Sequence, residues 1–421
     1  MMEFVHDLSP AIFSEFNAHC LTDHYTKSPE FGNFKTIEGY EHYLVGVKDE
    51  AKLVATALVL HKRIPYLFSS YCYVTYGYNM DYNDKALLSF FNRSLSSFCK
   101  DKLKACFLRV DPNVAFRQHD KDGKLTPDGY HNLWLSETFI KDGFTHLGYN
   151  YGYSGNWMSR FTYILDLTPE LTQIQKKIKN FNSHTRKNDL RTVSVIEGDK
   201  TDLKYLYLAQ LELAKTQRFV AKPLSYFETL YDAFTGKAHL YIAKANLKLA
   251  YQNLLDEKKR LYKQLIELTN PARIQETEAG IKALDKELDL MIQHGYDTIE
   301  DTVLGAKLII QINDRVYNVH MYTYKTLPNF RVAFALHSKA IAESKMRNAV
   351  SYDFEGVSGS LDPKDSYYGI YDFKKSFGGD FIEYAGEFDQ VIDPLRYQLF
   401  KKIDRLYRRY RRKLYLLSKG W

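Results

Sequence analysis

The sequence predicts an α/β chain of two domains, the second interrupted by a helical hairpin. Three observations predict it. Short apolar strands alternate with amphipathic helices over roughly the first 150 residues. A second run with the same alternation starts near residue 151. Two stretches of heptad spacing then bracket one Asn270-Pro271 break. A chain of 421 residues also exceeds what one core usually holds.

The first domain opens with a helix over 9–20, with Ser9 as cap and Pro10 as first helical residue. A turn and short helix follow over 25–36. Strands are expected at 43–47 and 51–60, then at 71–76. Leu87, Leu88, Phe91, Leu95 and Phe98 give 84–104 helical periodicity. Cys106 to Val110 is an apolar strand ending at Asp111-Pro112. The glycine, tyrosine and asparagine of 150–156 mark a boundary.

The second domain starts with a strand over 160–167 and a basic helical segment over 174–191. A strand over 192–197 and a helix over 200–215 follow. Leu247, Leu254, Leu261 and Leu268 then stand seven apart, as do Ile274, Ile281 and Leu288 beyond the break. These runs predict an antiparallel coiled-coil hairpin, each arm on the order of 30 Å long. Strands resume at 303–311 and 315–324, with a helix over 338–348. The expected division is 1–150 for the first domain, 151–245 with 296–400 for the second, 246–295 for the arm and 401–421 for a basic C-terminal helix.

Composition narrows the function classes. Net charge is +7, and Lys401, Lys402, Arg405, Arg408, Arg409, Arg411, Arg412 and Lys413 crowd the last stretch. That pattern suits a polyanion or an anionic membrane surface. Tyrosine (34) and phenylalanine (26) are abundant enough to line wet grooves, and are equally good strand residues. The four cysteines have neither metal-ligand nor CxxC spacing, so no metal is expected. No apolar run is long enough to span a bilayer, and no signal peptide is evident, so a cytoplasmic protein, peripheral to the membrane at most, is expected.

The chemistry concentrates in Ser351 to Tyr384. Tyr352-Asp353-Phe354 reads as a strand, 355–360 as a glycine and serine turn, Tyr367 to Phe377 as a short helix, and Phe381 to Tyr384 as the next strand. The layout puts Lys374 and Lys375 at the mouth of a buried sheet, where glycines allow close approach to the backbone. An ordinary strand-helix-strand unit with a solvated lysine pair fits the same residues.

These motifs resemble the FemABX peptidoglycan aminoacyltransferases, and the FemA type most. The matching stretches are Gly39-Tyr40-Glu41 with Leu44-Val45-Gly46-Val47, Asp81-Tyr82, Asp111-Pro112, Thr185-Arg186-Lys187-Asn188, Phe354 to Gly359, Phe373-Lys374 and Phe377-Gly378. The resemblance implies two acetyltransferase-like (GNAT-like) domains with mixed sheets, and a coiled coil where FemA-type members carry theirs. It implies transfer of an amino acid from aminoacyl-tRNA to the stem-peptide lysine, or to a residue already attached there, of a muramyl pentapeptide precursor. No acetyl-coenzyme A or other cofactor is implied. Lys374 and Asp111 take the catalytic positions. Lys35, Tyr76, Tyr78, Arg218, Tyr367 and Phe373 are the implied substrate-binding residues, and Arg186, Lys187 and Lys375 the tRNA-binding ones. Tyr76-Gly77-Tyr78 stands where many FemA-like chains read Arg-Gly-Pro. Arg218 is displaced by two places from the arginine of nucleotide-substrate members, which points toward a lipid-linked acceptor. The expected protein partner is a homologous aminoacyltransferase or a second copy of the chain. Two other readings use the same features: a coenzyme A-dependent small-molecule N-acyltransferase, and a non-enzymatic tRNA- or membrane-binding adaptor.

Overall fold

The computed structural model describes residues 1–153 and 157–421, so the boundary at 150–156 lies partly outside the described residues. Local sequence fixes the start of the chain. After β1 (Met2–Val5), the Ser9 side chain accepts the Ile12 N–H at 3.4 Å and Pro10 opens α1 (Pro10–Ala18). The Ser28-Pro29 pair repeats the device at α2 (Pro29–Lys35). β2 (Tyr40–Asp49) and β3 (Lys52–Ile64) form a hairpin whose turn residues Glu50 and Ala51 both have positive φ. β4 (Ser69–Val74), β5 (Asn79–Met80), α3 (Lys85–Ser97), β6 (Ala105–Val110), α4 (Leu133–Lys141) and β7 (Thr145–His146) complete this part.

The second part holds β8 (Phe161–Asp166), α5 (Leu171–Lys177), α6 (Phe181–Leu190), β9 (Ser194–Gly198), α7 (Leu203–Gln217), α8 (Leu224–Ala233) and β10 (Ala238–Ala245). Helices α9 (Leu247–Glu267) and α10 (Pro271–Gln293) follow, then β11 (Thr302–Ile312), β12 (Arg315–Thr323), α11 (Val332–Met346), β13 (Ser351–Val357), α12 (Tyr368–Lys375) and β14 (Asp380–Glu383). β15 (Phe388–Val391) and α13 (Pro394–Ser418) end the chain.

Among the described residues the strands form two mixed sheets. The eight-stranded sheet runs β1-β2-β3-β4-β6-β15-β7, with β5 on β3. The seven-stranded sheet runs β14-β8-β13-β12-β11-β10-β9. Each contains a parallel pair, β4 with β6 and β12 with β13, among antiparallel neighbours. The order corrects the expected division. That division gives 296–400 to the second domain, but Phe388–Val391 pairs with β6 and β7 of the first sheet. The reason is a buried ion pair: Arg109 on β6 donates through Nε and Nη2 to Asp389, both at 2.7 Å. Such a partner, 280 residues away, has no local signature.

α13 starts at Pro394, seven residues ahead of the expected boundary. Its Tyr397 and Phe400 bury against Leu44, Leu60, Tyr71 and Phe107 of the first sheet. The Tyr397 hydroxyl donates to Asp389 at 2.7 Å.

α9 and α10 lie antiparallel: Leu261 faces Gly280, and Lys258 pairs with Asp285. Their base is docked, with Leu247, Ala250, Leu254, Leu284, Leu288 and Met291 in the core of the second sheet. Arg191 clamps Glu287 through two bonds of 2.7 Å. Toward the tip, Tyr262 and Ile266 are exposed.

Candidate active site

The site grows from a splay in the second sheet. β12 and β13 pair in parallel only at Arg315–Ser351, Val316–Tyr352 and Tyr317–Asp353. Beyond Asp353 the register of β13 on β8 slips before Gly356, and Glu355 sits in the bulge at φ +60°. A bulge re-aims a side chain and ends regular pairing. Asp353 holds it: its Oδ1 accepts the Glu355 N–H at 2.7 Å and the Thr162 hydroxyl at 2.5 Å. Gly356 is obligatory, because a Cβ there would fall 1.9 Å from Ser159 Oγ.

α12 lies beside the bulge. Phe377, fully buried after its end, packs on Phe354 and His337. Phe373 packs on His337 and Phe377. The Phe373 ring, expected at the substrate, is half-buried and anchors the helix through these contacts. Between the two rings Lys374 turns inward, and its Nζ donates to the carbonyls of Glu355 (2.7 Å) and Gly356 (2.8 Å). Burial lowers the ammonium to about 8, against the opposing pull of the Glu355 and Asp353 carboxylates. Burial raises Glu355 to about 7; for Asp353, burial and the neighbouring Glu355 charge together do the same. Lys375 points away and pairs with Asp122 at 2.8 Å.

The loop Thr22–Lys27 of the first half closes over this splay. Tyr317 donates to Asp23 O at 2.9 Å, and Arg315 to Leu21 O at 2.6 Å. Lys27, 1% exposed, holds the loop by donating to Thr22 O, Tyr78 O and Asn113 Oδ1 at 2.8–3.0 Å. The His24 ring sits among Tyr25, Tyr76 and Tyr317 at centroid distances of 4.2–4.7 Å. Thr26 N–H donates to His24 Nδ1, which places the ring proton on Nε2. That Nε2 faces Glu355 Oε1 at 3.6 Å, and neither atom has a hydrogen-bond partner among the described residues. Burial lowers His24 to about 3, so the ring is neutral.

The remaining expected residues fall in separate places. Asp111 ends β6 beside Tyr76, but both its oxygens are committed: Oδ2 accepts the Tyr73 hydroxyl and Oδ1 the Tyr76 N–H, each at 2.7 Å. Burial and the Glu387 carboxylate push it well above the usual range. Tyr76 stands at the site, whereas Tyr78 does not. Tyr78 is fully buried, stacks near Phe91 and Phe139, and gives its hydroxyl to Asn92. It is a core residue because the chain turns between the two rings, with Tyr76 and Gly77 both at positive φ.

Tyr367 lines a cleft of about 750 Å³ with Tyr151, Tyr153, Phe161, Gly359 and Leu361. Tyr153 donates to the Gly356 carbonyl that also receives Lys374, so the cleft reaches the lysine's cradle. Lys35 pairs with Glu38, which also receives Lys222 at 2.7 Å, and Lys35 and Lys62 flank the Tyr40 ring. Arg218 is exposed in a left-handed conformation at the end of α7, where its carbonyl accepts Arg412 Nε of α13. Arg186 pairs with Glu257 of α9, and Lys187 lines a cavity of about 580 Å³ between α6 and the hairpin. Sequence reasoning missed His24 and Lys27. The signal for them was thin: titratable residues between two capped helices, with nothing to say that the loop is buried. Among the described residues no His, Cys, Asp and Glu cluster is arranged to hold a metal.

The FemAB family model matches residues 8–405. The lipid II:glycine glycyltransferase of Staphylococcus saprophyticus is 26% identical over 389 residues, 89% of each chain. Aminoacyltransferase FemA of Staphylococcus epidermidis is 23% identical over 426 residues, 95% of this chain and 99% of its own. A crystal structure of FemX superposes with a TM-score of 0.72 at 21% identity, covering 94% of this chain and 99% of that one, and so has the same fold.

Proposed function

The chain belongs to the FemAB family, and on that premise we propose how its residues carry out an aminoacyl transfer. The protein is an aminoacyltransferase. It moves an amino acid from aminoacyl-tRNA to an amino group of a peptidoglycan precursor and so builds the interpeptide bridge. The observation that carries the reading is the buried Lys374 ammonium, held by two carbonyls at the opening between two strands. An ammonium fixed there stabilises the negative charge that grows on the ester oxygens as the amine attacks. Asp111 is assigned to positioning the Tyr76 turn.

Each half is an acetyltransferase-like unit, supported by the parallel strand pair in each sheet. The aromatic cleft beside Tyr153 and Tyr367 takes the terminal adenosine of the tRNA by stacking. Arg186, Lys187 and the α9–α10 arm follow its phosphates. Lys35, Lys62 and Lys222 contact the diphosphate of a lipid-linked precursor. The membrane-facing element is α13, where Leu395, Leu399, Leu406, Tyr410 and Leu417 form one exposed stripe beside the cations. No helix among the described residues is long and apolar enough to cross a membrane.

The test is purified protein with lipid-linked precursor and a panel of charged tRNAs. A precursor heavier by one aminoacyl residue, lost on ribonuclease treatment, is the expected product. Transfer from a coenzyme A thioester, or from no donor at all, overturns the reading.

A further inference from the structure

The attacking amine must lose a proton, and Asp111 has both oxygens committed elsewhere. Another carboxylate stands free. Among the described residues Glu355 Oε1 has no hydrogen-bond partner, although its side chain is only 18% exposed. An unpaired buried acceptor is costly and calls for an occupant. The backbone already spends strain to aim it, because Glu355 is a non-glycine residue at φ +60° in a bulge. Its own main-chain carbonyl is one of the two that hold Lys374. One residue therefore fixes the ammonium through its backbone while presenting a carboxylate through its side chain.

We propose that Glu355 is the general base of the transfer, and that His24 from the other half of the molecule is the residue that positions it. The inference rests on the aminoacyltransferase reading of the same site. The acceptor nitrogen, as the free amine, forms a bond to the ester carbonyl carbon. Its proton passes to the Glu355 carboxylate. The bond from that carbon to the ribose oxygen of the tRNA breaks, and Lys374 gives a proton to the departing oxygen. The proton on Glu355 then returns to Lys374 through solvent, so atoms and charge balance.

The partners around Glu355 suit this role. His24 brings Nε2–H to 3.6 Å from Glu355 Oε1, and a shift that shortens this contact makes a hydrogen bond that orients the carboxylate; being neutral, the ring does not hold it ionised. Lys374 is the cation that favours the ionised form, and Asp353 the anion that opposes it. The rings of Tyr25, Tyr76, Tyr317 and Tyr384, all buried, close the other sides without offering a charge. A base near neutrality beside an acid slightly above it is the pairing that acyl transfer between neutral partners needs.

The experiment measures kcat/KM against pH for the full chain with charged tRNA and lipid-linked precursor. Wild type should rise through pH of about 7 and fall above about 8. Glu355→Gln should lose roughly 10²–10⁴-fold and with it the rising limb. Glu355→Asp should be slow but keep that limb. His24→Gln should keep the limb and shift it, which a purely structural role would not do. A Glu355→Gln enzyme with wild-type rate and profile overturns the proposal. If Glu355→Gln melts early, Glu355→Asp decides alone, since wild-type turnover with the shorter side chain also overturns it. Absence of transfer by wild type would instead reject the aminoacyltransferase reading, a different result from either.

Discussion

Lys374 and Lys375 are neighbours in sequence with opposite surroundings, so they form a controlled comparison. Lys374→Ala should lower turnover by roughly 10²-fold or more, the scale of one well-placed electrostatic donor. Stability should also fall by about 1–3 kcal/mol, because the Glu355 carbonyl loses its partner. Lys374→Arg should rescue little, as a forked guanidinium does not fit a cradle built for a compact ammonium. Lys375→Ala should change both quantities little, since its pair with the exposed Asp122 is screened by solvent. Steady-state transfer with a thermal melt of each variant checks this. Loss of turnover that merely tracks the unfolded fraction would make Lys374 structural. The same residues set a pH dependence of stability. Glu355 is raised from 4.5 to about 7, so between those values the folded chain keeps a proton that the unfolded chain has shed. Stability therefore falls as pH rises through that window. Lys374 is lowered from 10.5 to about 8, so above 8 the unfolded chain holds the extra proton and stability rises with pH. Melts of Glu355→Gln at pH 5 and pH 7 should show a smaller drop than wild type; an equal drop would remove Glu355 as its source. Lys374 was legible in the sequence because it sits between Phe373 and Phe377, four apart on one face. Glu355 lay in plain view but read as turn, since a bulge has the same composition as a loop. His24 was invisible, because what buries it are rings from Tyr76 and Tyr317, far away in the chain.

At the scale of elements, the hairpin shows what periodicity does and does not convey. Heptad spacing located both helices and their Asn-Pro turn, but not how far the base is sunk into the second core. The docked base rules out a clean excision between the flanking strands. Removing 247–293 would strip Leu254, Leu288 and Met291 from the core and leave Arg191 buried without Glu287. The lost ion-pair partner alone costs about 3–5 kcal/mol. Shortening only the tip, 259–282, should leave the melt unchanged while weakening intact charged tRNA more than a short acceptor-stem analogue. Equal weakening of both donors would reject the arm as a tRNA contact. The C-terminal helix carries a comparable lesson. Spacing alone groups Tyr397 and Phe400 with Tyr407 and Tyr410. The structure separates them: the first two are core, and the exposed stripe repeats at eleven residues through Leu395, Leu406 and Leu417. Leu406→Ser with Leu417→Ser should reduce sedimentation with anionic vesicles roughly tenfold and leave transfer to a soluble precursor intact. Unchanged sedimentation would show that the cations alone hold any lipid contact.

The whole molecule is two sheets sewn by the chain's return, and that return decides how it must fold. Alternation of helices and strands sufficed to read two α/β halves. It gave no hint that β15 belongs to the first, because pairing in a sheet is set by register and partners across space rather than by order. Glu383, at the end of β14, draws in Arg117 and His119 from the first half and Arg160 beside β8. Five residues later, at Phe388, the chain enters the first sheet between β6 and β7. A fragment of residues 1–150 therefore lacks an interior strand and leaves Arg109 buried without Asp389. Losing one partner of such a pair costs about 3–5 kcal/mol, a large share of the 5–15 kcal/mol that holds a typical domain together. The fragment should show no cooperative melt and little amide dispersion in its NMR spectrum. Joining 384–400 to its end through a short glycine linker should restore both, because β15, Asp389 and the Tyr397–Phe400 turn of α13 come back together. Asp389→Ala in the joined chain should abolish the rescue. A cooperative melt from 1–150 alone would mean that the first half is complete without the strand, and that the return of the chain only fastens the two halves to each other.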